Sequence, residues 1–133
     1  MVRVSWLVEK RVILINIGVE LTEDEAIQMN ADVVNLLNQG EEDLVHVVFL
    51  ADKVQKFPSS VSWLRDAMNF VNHPKRGHHI TVTRHRVLRF IGAVIYRTHA
   101  RGLPRMVGTY AECKQMLEEL DNTLPPLPDT IED

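Results

Sequence analysis

The chain has 133 residues, of which 45% are hydrophobic and 25% are charged, as is ordinary for one folded domain. Its single cysteine, Cys113, excludes an internal disulfide and favours a reducing compartment, so we expect a cytoplasmic protein. The longest apolar runs have the length of a strand, and no segment shows the pattern of a secretion signal. We therefore expect no association with a membrane.

The net charge of -3 conceals a segregation of charge along the sequence. Residues 67–111 contain eight Lys or Arg and no acidic residue, whereas residues 112–133 contain seven acidic residues and one Lys. Such asymmetry concerns the surface potential and the partners of a protein rather than its fold.

The first half of the chain predicts a hairpin, a helix and a buried strand. Val2–Val8 and Val12–Ile17 are rich in β-branched and aromatic residues and flank a polar turn, which predicts the hairpin. A capping box at Thr22–Glu25 opens the helix, and Leu44–Ala51 is typical of a buried parallel strand. The expected buried stripe of the helix is Ile27, Val33, Val34 and Leu37.

The second half predicts three further helices and two strands. Pro58-Ser59-Ser60 opens the second helix, and His78–Thr83 is the next strand. The third helix is predicted over Arg84–Ala100 and is followed by a short strand at Met106-Val107. A second capping box, beginning at Thr109, opens the fourth helix.

The end of the chain differs in character from the rest. Residues 122–133 are rich in proline and acidic residues and lack a periodic pattern, so we expect a flexible or loosely packed tail after a domain at residues 1–121. Alternating strands and helices imply parallel pairing through right-handed crossovers. The predicted fold class is α/β, a single-layer mixed sheet of about five strands flanked by four helices in the order ββαβαβαβα.

The stretch Val47–Val54, followed by Phe57-Pro58-Ser59-Ser60, combines a buried strand, a short loop and two hydroxyls at a helix start. Together with the order of elements over residues 2–121, this stretch resembles STAS-type domains, the family named after sulfate transporters and anti-sigma-factor antagonists. In that family a hydroxyl at this helix start is a phosphorylation switch. The resemblance implies that Ser59 is the phosphoacceptor and Ser60 its neighbour.

Two positions at this helix start differ from the family pattern, because Pro58 stands where the family has Asp and Val61 stands where it has Gly. The uncharacterised STAS-like group is therefore the better match. Ser59 and Ser60 are also good N-cap residues, whose oxygens accept bonds from otherwise unpaired helix amides. A purely structural role and a phosphate held by the same amides are both open interpretations at this point.

A second candidate site lies at the start of the third helix, where Arg84, His85 and Arg86 place positive charge against the helix dipole. Local conflicts of this kind are often found near functional sites. Parallel strands would put both helix starts at the carboxyl edge of the sheet, where open α/β sheets bind ligands. We therefore predict an anion-binding rim shared with Ser59 and Ser60, with three solvated side chains as the alternative.

The third helix also carries a predicted basic interaction face made of Arg86, Arg89 and Arg97. A solvated face, an acidic protein partner and nucleic acid are the three interpretations. Nucleic acid is disfavoured, because the net charge is negative and no nucleic-acid-binding motif is present. Pairing with the acidic segment 41–43 or with the acidic tail of another copy is a further alternative.

The sequence lacks paired carboxylates, a nucleophile with its base, and a glycine-rich phosphate loop, so we expect neither enzyme activity nor a cofactor. His78 and His79 leave a strand by opposite faces, so no metal site is expected. A cavity is predicted between the second and third helices. Its candidate lining is Trp63, Leu64, Met68, Leu88 and Ile95.

The first interpretation of function is a non-enzymatic, STAS-like regulatory module that acts by protein–protein contact and is switched by phosphorylation or anion binding near Ser59. The alternative is a small-molecule binding protein of the same fold, carrying a lipid or a nucleotide. The exposed edge expected for Val2–Val8 favours pairing with another copy, so we expect a homodimer in addition to a protein partner.

Overall fold

The computed structural model describes residues 1–41, 44–98 and 105–131, with the backbone alone at residues 96–98. The strands are β1 (Val2–Val8), β2 (Val12–Ile17), β3 (Val45–Leu50), β4 (Arg76–Val82) and β5 (Arg105–Val107). The helices are α1 (Glu23–Asn38), α2 (Val61–Ala67), α3 (Arg86–Thr98) and α4 (Tyr110–Leu120), with a 3₁₀ turn at Asn69–Asn72.

The strands form one sheet in the order β1-β2-β3-β4-β5, so neighbours in the chain are neighbours in space. The β1–β2 pair is antiparallel, and the three following pairs are parallel. This arrangement confirms the predicted α/β class, with a mixed sheet of five strands and four helices in the described residues. The two edges of the sheet differ, because β1 has seven residues and β5 has three.

Two hydrophobic cores lie on the two faces of the sheet, because β2 and β3 are apolar on both sides. Ile13 and Phe49 point into the first core, which α1, α2 and α3 cover. Leu14 and Val48 point into the second core, which α4 covers. The helices that connect parallel strands therefore share one face. α2 and α3 follow the carboxyl ends of β3 and β4, from which residues 51–60 and 83–85 separate them.

The start of α1 forms as predicted, but its buried stripe differs from the expected one. Thr22 Oγ1 accepts a hydrogen bond from Glu25 N at 3.2 Å, and Thr22 N donates to Glu25 Oε1 at 3.1 Å, which completes the capping box. Ile27 is 55% exposed, so its placement in the stripe is wrong. The buried residues of α1 follow one another at intervals of three or four residues, beginning at Ala26. Ile27 is the next residue after Ala26 and therefore lies outside the buried stripe. The buried stripe is Ala26, Met29, Val33 and Leu37.

The chain after α4 packs on the sheet, so the expectation of a loose tail is wrong over residues 122–131. Leu127 is only 4% exposed and belongs to the second core. The Tyr110 hydroxyl donates to the Pro128 carbonyl at 2.6 Å, which holds the tail against α4. The physical reason is that α4 alone leaves part of this apolar face uncovered, and burying one Leu side chain contributes about 1.5–3 kcal/mol.

Element boundaries around the candidate site are also corrected. β4 begins at Arg76, two residues before the predicted start, and it ends at Val82. α3 begins at Arg86, so Arg84 and His85 precede the helix and do not lie in its first turn. The predicted end of that helix, at Ala100, lies outside the described residues.

Candidate functional site

The loop between β3 and α2 is held in place by backbone hydrogen bonds to the segment before α1. Leu21 N donates to the Lys56 carbonyl at 2.8 Å, and Gln55 N donates to the Val19 carbonyl at 2.7 Å. Phe57 follows this anchor and packs against the first core. The anchor fixes the direction in which the chain enters α2, and it leaves Ser59 exposed at the surface.

The two hydroxyls at the start of α2 have different roles. Ser60 is the N-cap, and its Oγ accepts a hydrogen bond from Trp63 N at 3.3 Å. Ser59 precedes the cap, is exposed, and makes no side-chain hydrogen bond within the described part of the chain. Because Ser60 is engaged in the helix end, Ser59 is the hydroxyl that is free to react or to bind. The helix itself is short, at seven residues.

Thr83 organises the start of α3. Its side chain is fully buried, and its Oγ1 accepts a hydrogen bond from His85 N at 3.1 Å. Its carbonyl accepts a hydrogen bond from Arg89 Nε at 2.9 Å. The guanidinium of Arg89 is therefore turned back toward the end of β4, so Arg89 supports the helix start from within and does not belong to an open basic face.

The two helix starts meet through an aromatic contact. The rings of Phe57 and His85 are 5.1 Å apart between centroids and nearly perpendicular. Edge-to-face contacts of this kind are worth about 0.5–1.5 kcal/mol beyond the area they bury. Phe57 stands two residues before Ser59, and His85 stands one residue before α3. The contact places the Ser59 loop and the arginine-rich turn side by side at the carboxyl edge of the sheet.

The three residues of the predicted anion site are not directed to one point. His85 is half-buried and faces the Ser59 loop through Phe57. Arg84 is exposed and runs the other way, because a Cβ built at Gly108 would lie 3.1 Å from Arg84 Nε. Arg86 is exposed at the first position of α3. The rim thus carries two exposed cations on either side of a half-buried histidine.

The predicted basic face of α3 is altered by one residue that the sequence interpretation overlooked. Phe90 is 65% exposed on α3, and Val87 is 49% exposed. Arg86 stands four residues before Phe90, and that spacing puts the two side chains on the same side of the helix. The side chain of Arg97 lies outside the described residues. The exposed surface of α3 is therefore an aromatic patch beside an arginine rather than a purely basic face.

A cavity of about 50 Å³ lies between the first face of the sheet and helices α2 and α3. Of the five residues predicted to line a pocket here, Leu64, Met68, Leu88 and Ile95 do so, whereas Trp63 packs elsewhere on the first core. The remaining lining consists of Leu21, Phe49, Phe57, Val71, His79, Thr81, Ile91, Gly92, Arg105 and Met106.

His79 brings a buried imidazole to the wall of this cavity. It is 6% exposed, and its ring lies 5.5 Å from the ring of Phe70 and 6.3 Å from that of Phe49, measured between centroids. Burial, with a smaller contribution from the charge of Arg76, lowers the pKa of His79 to about 3. The cavity wall is therefore uncharged at His79 near neutral pH.

Three further observations concern metal ligands, membrane-spanning helices and the cysteine. Within residues 1–41, 44–98 and 105–131, no group of three or more His, Cys, Asp or Glu side chains is placed to hold a metal ion. In the same described ranges, no helix has the length and apolar character needed to cross a bilayer. Burial raises the pKa of the Cys113 thiol to about 12, so this cysteine is held as an unreactive core residue.

No family model and no curated protein matches the sequence, but solved structures share its fold. The anti-sigma factor antagonist SpoIIAA in its unphosphorylated form is 15% identical, with a TM-score of 0.59 over 89% of this chain and 98% of its own. The Bacillus cell fate determinant SpoIIAA in the phosphorylated form is 12% identical, with a TM-score of 0.55 over 91% of this chain and 100% of its own.

A third similar structure is an uncharacterised protein with a SpoIIAA-like fold from Shewanella loihica PV-4. It is 8% identical to this chain, with a TM-score of 0.62 over 88% of this chain and 92% of its own. The chain therefore has a STAS-like fold of the SpoIIAA type, which confirms at the level of fold the resemblance inferred from the sequence.

Proposed function

We propose that this protein is a non-enzymatic regulatory module that binds a protein partner through the rim formed by the starts of α2 and α3. The observation that carries the proposal is the Phe57–His85 contact, because it joins the Ser59 loop to the arginine-rich turn as one surface. A STAS-like fold supports a role in protein interaction, since SpoIIAA is an anti-sigma factor antagonist.

The proposed switch is a phosphoryl group on Ser59. Ser59 is exposed and makes no side-chain hydrogen bond in the described chain, whereas Ser60 is held as the N-cap. A phosphoryl group adds about two negative charges, and it would lie on a rim that carries the cations of Arg84 and Arg86. SpoIIAA has been solved in phosphorylated and unphosphorylated forms, which is consistent with this mode of control.

The test compares Ser59→Asp and Ser59→Ala with the unaltered chain. Each is used to capture proteins from extracts of the source cells, and bound proteins are quantified by mass spectrometry. Ser5→Asp is the matched control, because Ser5 is an exposed serine on β1, outside the rim. We expect a bound protein whose recovery differs by about tenfold between Ser59→Asp and Ser59→Ala and is unchanged in Ser5→Asp. Identical profiles for all four chains contradict the proposal.

The apolar lining of the cavity motivates a second candidate function, the binding of a small apolar molecule, for which the space of about 50 Å³ would have to widen by movement of α2 and α3. Its wall is mostly hydrophobic, and its polar groups are the uncharged His79 ring and the Thr81 hydroxyl on β4 and the Arg105 side chain on β5. Such a wall favours the hydrocarbon part of a lipid over a nucleotide, because a base and a sugar need several hydrogen-bond partners, whereas the carboxylate of a fatty acid needs only the one cation of Arg105. The position of Phe57 in the same wall would connect occupancy of the cavity to the Ser59 loop.

Ligand binding is tested by titrating short fatty acids and nucleotides separately while following the fluorescence of Trp63, which packs at the edge of the first core. We expect saturable binding of the fatty acid alone. Leu64→Phe replaces an aliphatic side chain of the cavity wall with a larger aromatic ring, so it should weaken that binding about tenfold. If neither ligand class changes the fluorescence of the unaltered protein, the second function is wrong.

A further inference from the structure

Two helices on the same face of the sheet expose apolar side chains in opposite charge environments. On α1, Ile27 is 55% exposed, and the exposed carboxylates of Glu23 and Asp24 precede it by one turn. On α3, Phe90 is 65% exposed, and Arg86 precedes it by one turn. Each patch combines the apolar and charged groups that are typical of a protein interface, and their charges are complementary.

The fold places these two patches at matching positions. α1, α2 and α3 cover the same face, and α2 contacts both of the other helices, so it lies between them. All three helices follow strands that are parallel to one another, so all three begin at the carboxyl edge. The acidic turn of α1 and the basic turn of α3 therefore stand at the same height on either side of α2.

A two-fold axis that runs along α2 brings the patches together in a second copy. This rotation places α1 of one protomer opposite α3 of the other, and it does so twice, which gives a closed, self-complementary interface. A two-fold axis at right angles to the helices would instead place α1 on α1, with the carboxylates of Glu23 and Asp24 facing their own counterparts. Like charges across an interface disfavour that second arrangement.

We propose that this protein forms a homodimer through the face made by α1, α2 and α3, in which Asp24 and Ile27 of each protomer meet Arg86 and Phe90 of the other. The dimer axis passes near the start of α2, so Ser59 lies close to its counterpart. This inference rests on the proposed function in one respect, because it names a second copy as a partner of the same rim. A phosphoryl group on Ser59 would then introduce like charges at the axis and weaken the dimer.

The proposed dimer contact differs from those predicted from the sequence, which were pairing through the edge of β1 and pairing of the basic face with the acidic segment 41–43 or with the acidic tail. Glu42 and Asp43 lie outside the described residues. The tail docks on the opposite face of the sheet, where Leu127 is buried and Tyr110 holds the Pro128 carbonyl. Among the described acidic groups, the first turn of α1 is the one that shares a face and a height with the arginines of α3.

The experiment is sedimentation equilibrium of the full chain and of five variants. Arg86→Glu, Asp24→Arg and Phe90→Ser should each raise the dimer dissociation constant about tenfold or more. The double variant Arg86→Glu with Asp24→Arg exchanges the two charges within one chain, so it should restore the dissociation constant to within about threefold of the unaltered protein. Leu44→Ser, which changes an apolar side chain that is 49% exposed before β3, is the control and should leave the constant unchanged.

Three outcomes overturn the inference. The first is an unaltered chain that stays monomeric at every concentration, and the second is a dimer whose constant is the same in all variants. The third is a double variant that stays as weak as the single ones, which would show that Asp24 and Arg86 do not meet. A monomer whose binding of another protein still responds to Ser59→Asp would overturn the dimer and leave the proposed function standing, so the two failures are distinguishable.

Discussion

His46 Nε2 lies 2.8 Å from Asp121 Oδ2, and this contact ties the beginning of β3 to the end of α4. His46 Nδ1 accepts a hydrogen bond from His78 N at 2.9 Å, so the proton is on Nε2, which donates to the carboxylate. The same carboxylate oxygen accepts from Arg11 at 3.2 Å, and the other accepts from the hydroxyl and amide of Thr123. The cluster fastens the tail to the amino edge of the sheet, opposite the Ser59 rim.

The first prediction concerns the carboxylate of this cluster. Hydrogen bonds from the Thr123 side chain and from His46 lower the pKa of Asp121 well below its usual range. Because the pKa of Asp121 is lower in the folded state than in the unfolded state, its charge stabilises the fold at any pH above the unfolded-state pKa of about 3.9. This stabilisation is lost as the pH falls toward the folded-state pKa. Asp121→Asn should therefore lower the free energy of unfolding by about 1–3 kcal/mol at pH 7, with a smaller difference toward lower pH.

Urea unfolding at a series of pH values measures this difference. Asp52→Asn is the control, because Asp52 is exposed at the opposite edge of the sheet and its substitution should leave the stability unchanged at neutral pH. A difference between Asp121→Asn and the unaltered chain that stays constant down to the acid limit would show that the charge of Asp121 is not responsible.

The second prediction concerns the buried histidine of the cavity wall. His79 titrates near 6.5 in the unfolded chain, and burial lowers its pKa to about 3 in the fold. Between these values the unfolded state binds more protons, so the stability rises with pH, by about 1.4 kcal/mol per pH unit from this one group. His79→Phe removes the titrating ring, so the free energy of unfolding of this variant should rise less steeply with pH across that window, by the same amount per pH unit. Parallel curves for the two proteins would contradict the assignment.

The third prediction concerns the docked tail. Leu127 is 4% exposed in the second core, and its truncation to Ala should lower the free energy of unfolding by about 2–4 kcal/mol. Pro126→Ala is the matched control, since Pro126 is exposed in the same segment and its change should stay within about 0.5 kcal/mol. Chemical denaturation of both variants measures the two free energies of unfolding. An equally small change in both would show that Leu127 is not packed in the second core and that the tail is loose.

The fourth prediction separates the two adjacent serines. Ser60→Ala removes the oxygen that accepts from Trp63 N, so it should lower the free energy of unfolding by about 1 kcal/mol. Ser59→Ala removes an exposed hydroxyl without a hydrogen bond in the described chain, so it should change the stability by less than about 0.5 kcal/mol. Thermal and urea unfolding give both values. The reverse order of effects would make Ser59 the structural residue and remove it as a candidate for modification.

The fold could be predicted from the sequence because its signals are local and repeated. The capping-box patterns at Thr22 and Thr109 mark two helix starts, and both residues are N-caps. The box is complete at Thr22, whereas at Thr109 the Oγ1 accepts from Glu112 N and donates to Glu112 Oε1. The continuous apolar run at β3 predicts burial on both faces, and all six residues of that strand are buried. The alternation of strands and helices then leaves few possible topologies, and parallel order follows from it.

The wrong predictions for Ile27, the tail and Arg89 have a common cause. In each case the sequence allows two arrangements, and tertiary packing selects one of them. Ile27 and Ala26 are both compatible with an amphipathic helix, and the position of α1 on the sheet selects Ala26. Leu127 stands alone among prolines, so no periodicity reveals that the second face needs it. Arg86 and Arg89 are both arginines of α3, yet the Thr83 carbonyl just after β4 accepts a hydrogen bond from Arg89, whereas Arg86 is exposed.

We propose that the Ser59 loop and the start of α3 form one surface, so a phosphoryl group on Ser59 changes the environment of residues 84–86. The most direct measurement is a heteronuclear NMR comparison of the unmodified chain with a chain that carries phosphoserine at position 59. We expect the backbone amide resonances of Arg84, His85 and Arg86 to shift together with those of residues 57–62, through the Phe57–His85 contact and the added charge. Shifts confined to residues 57–62 would contradict it.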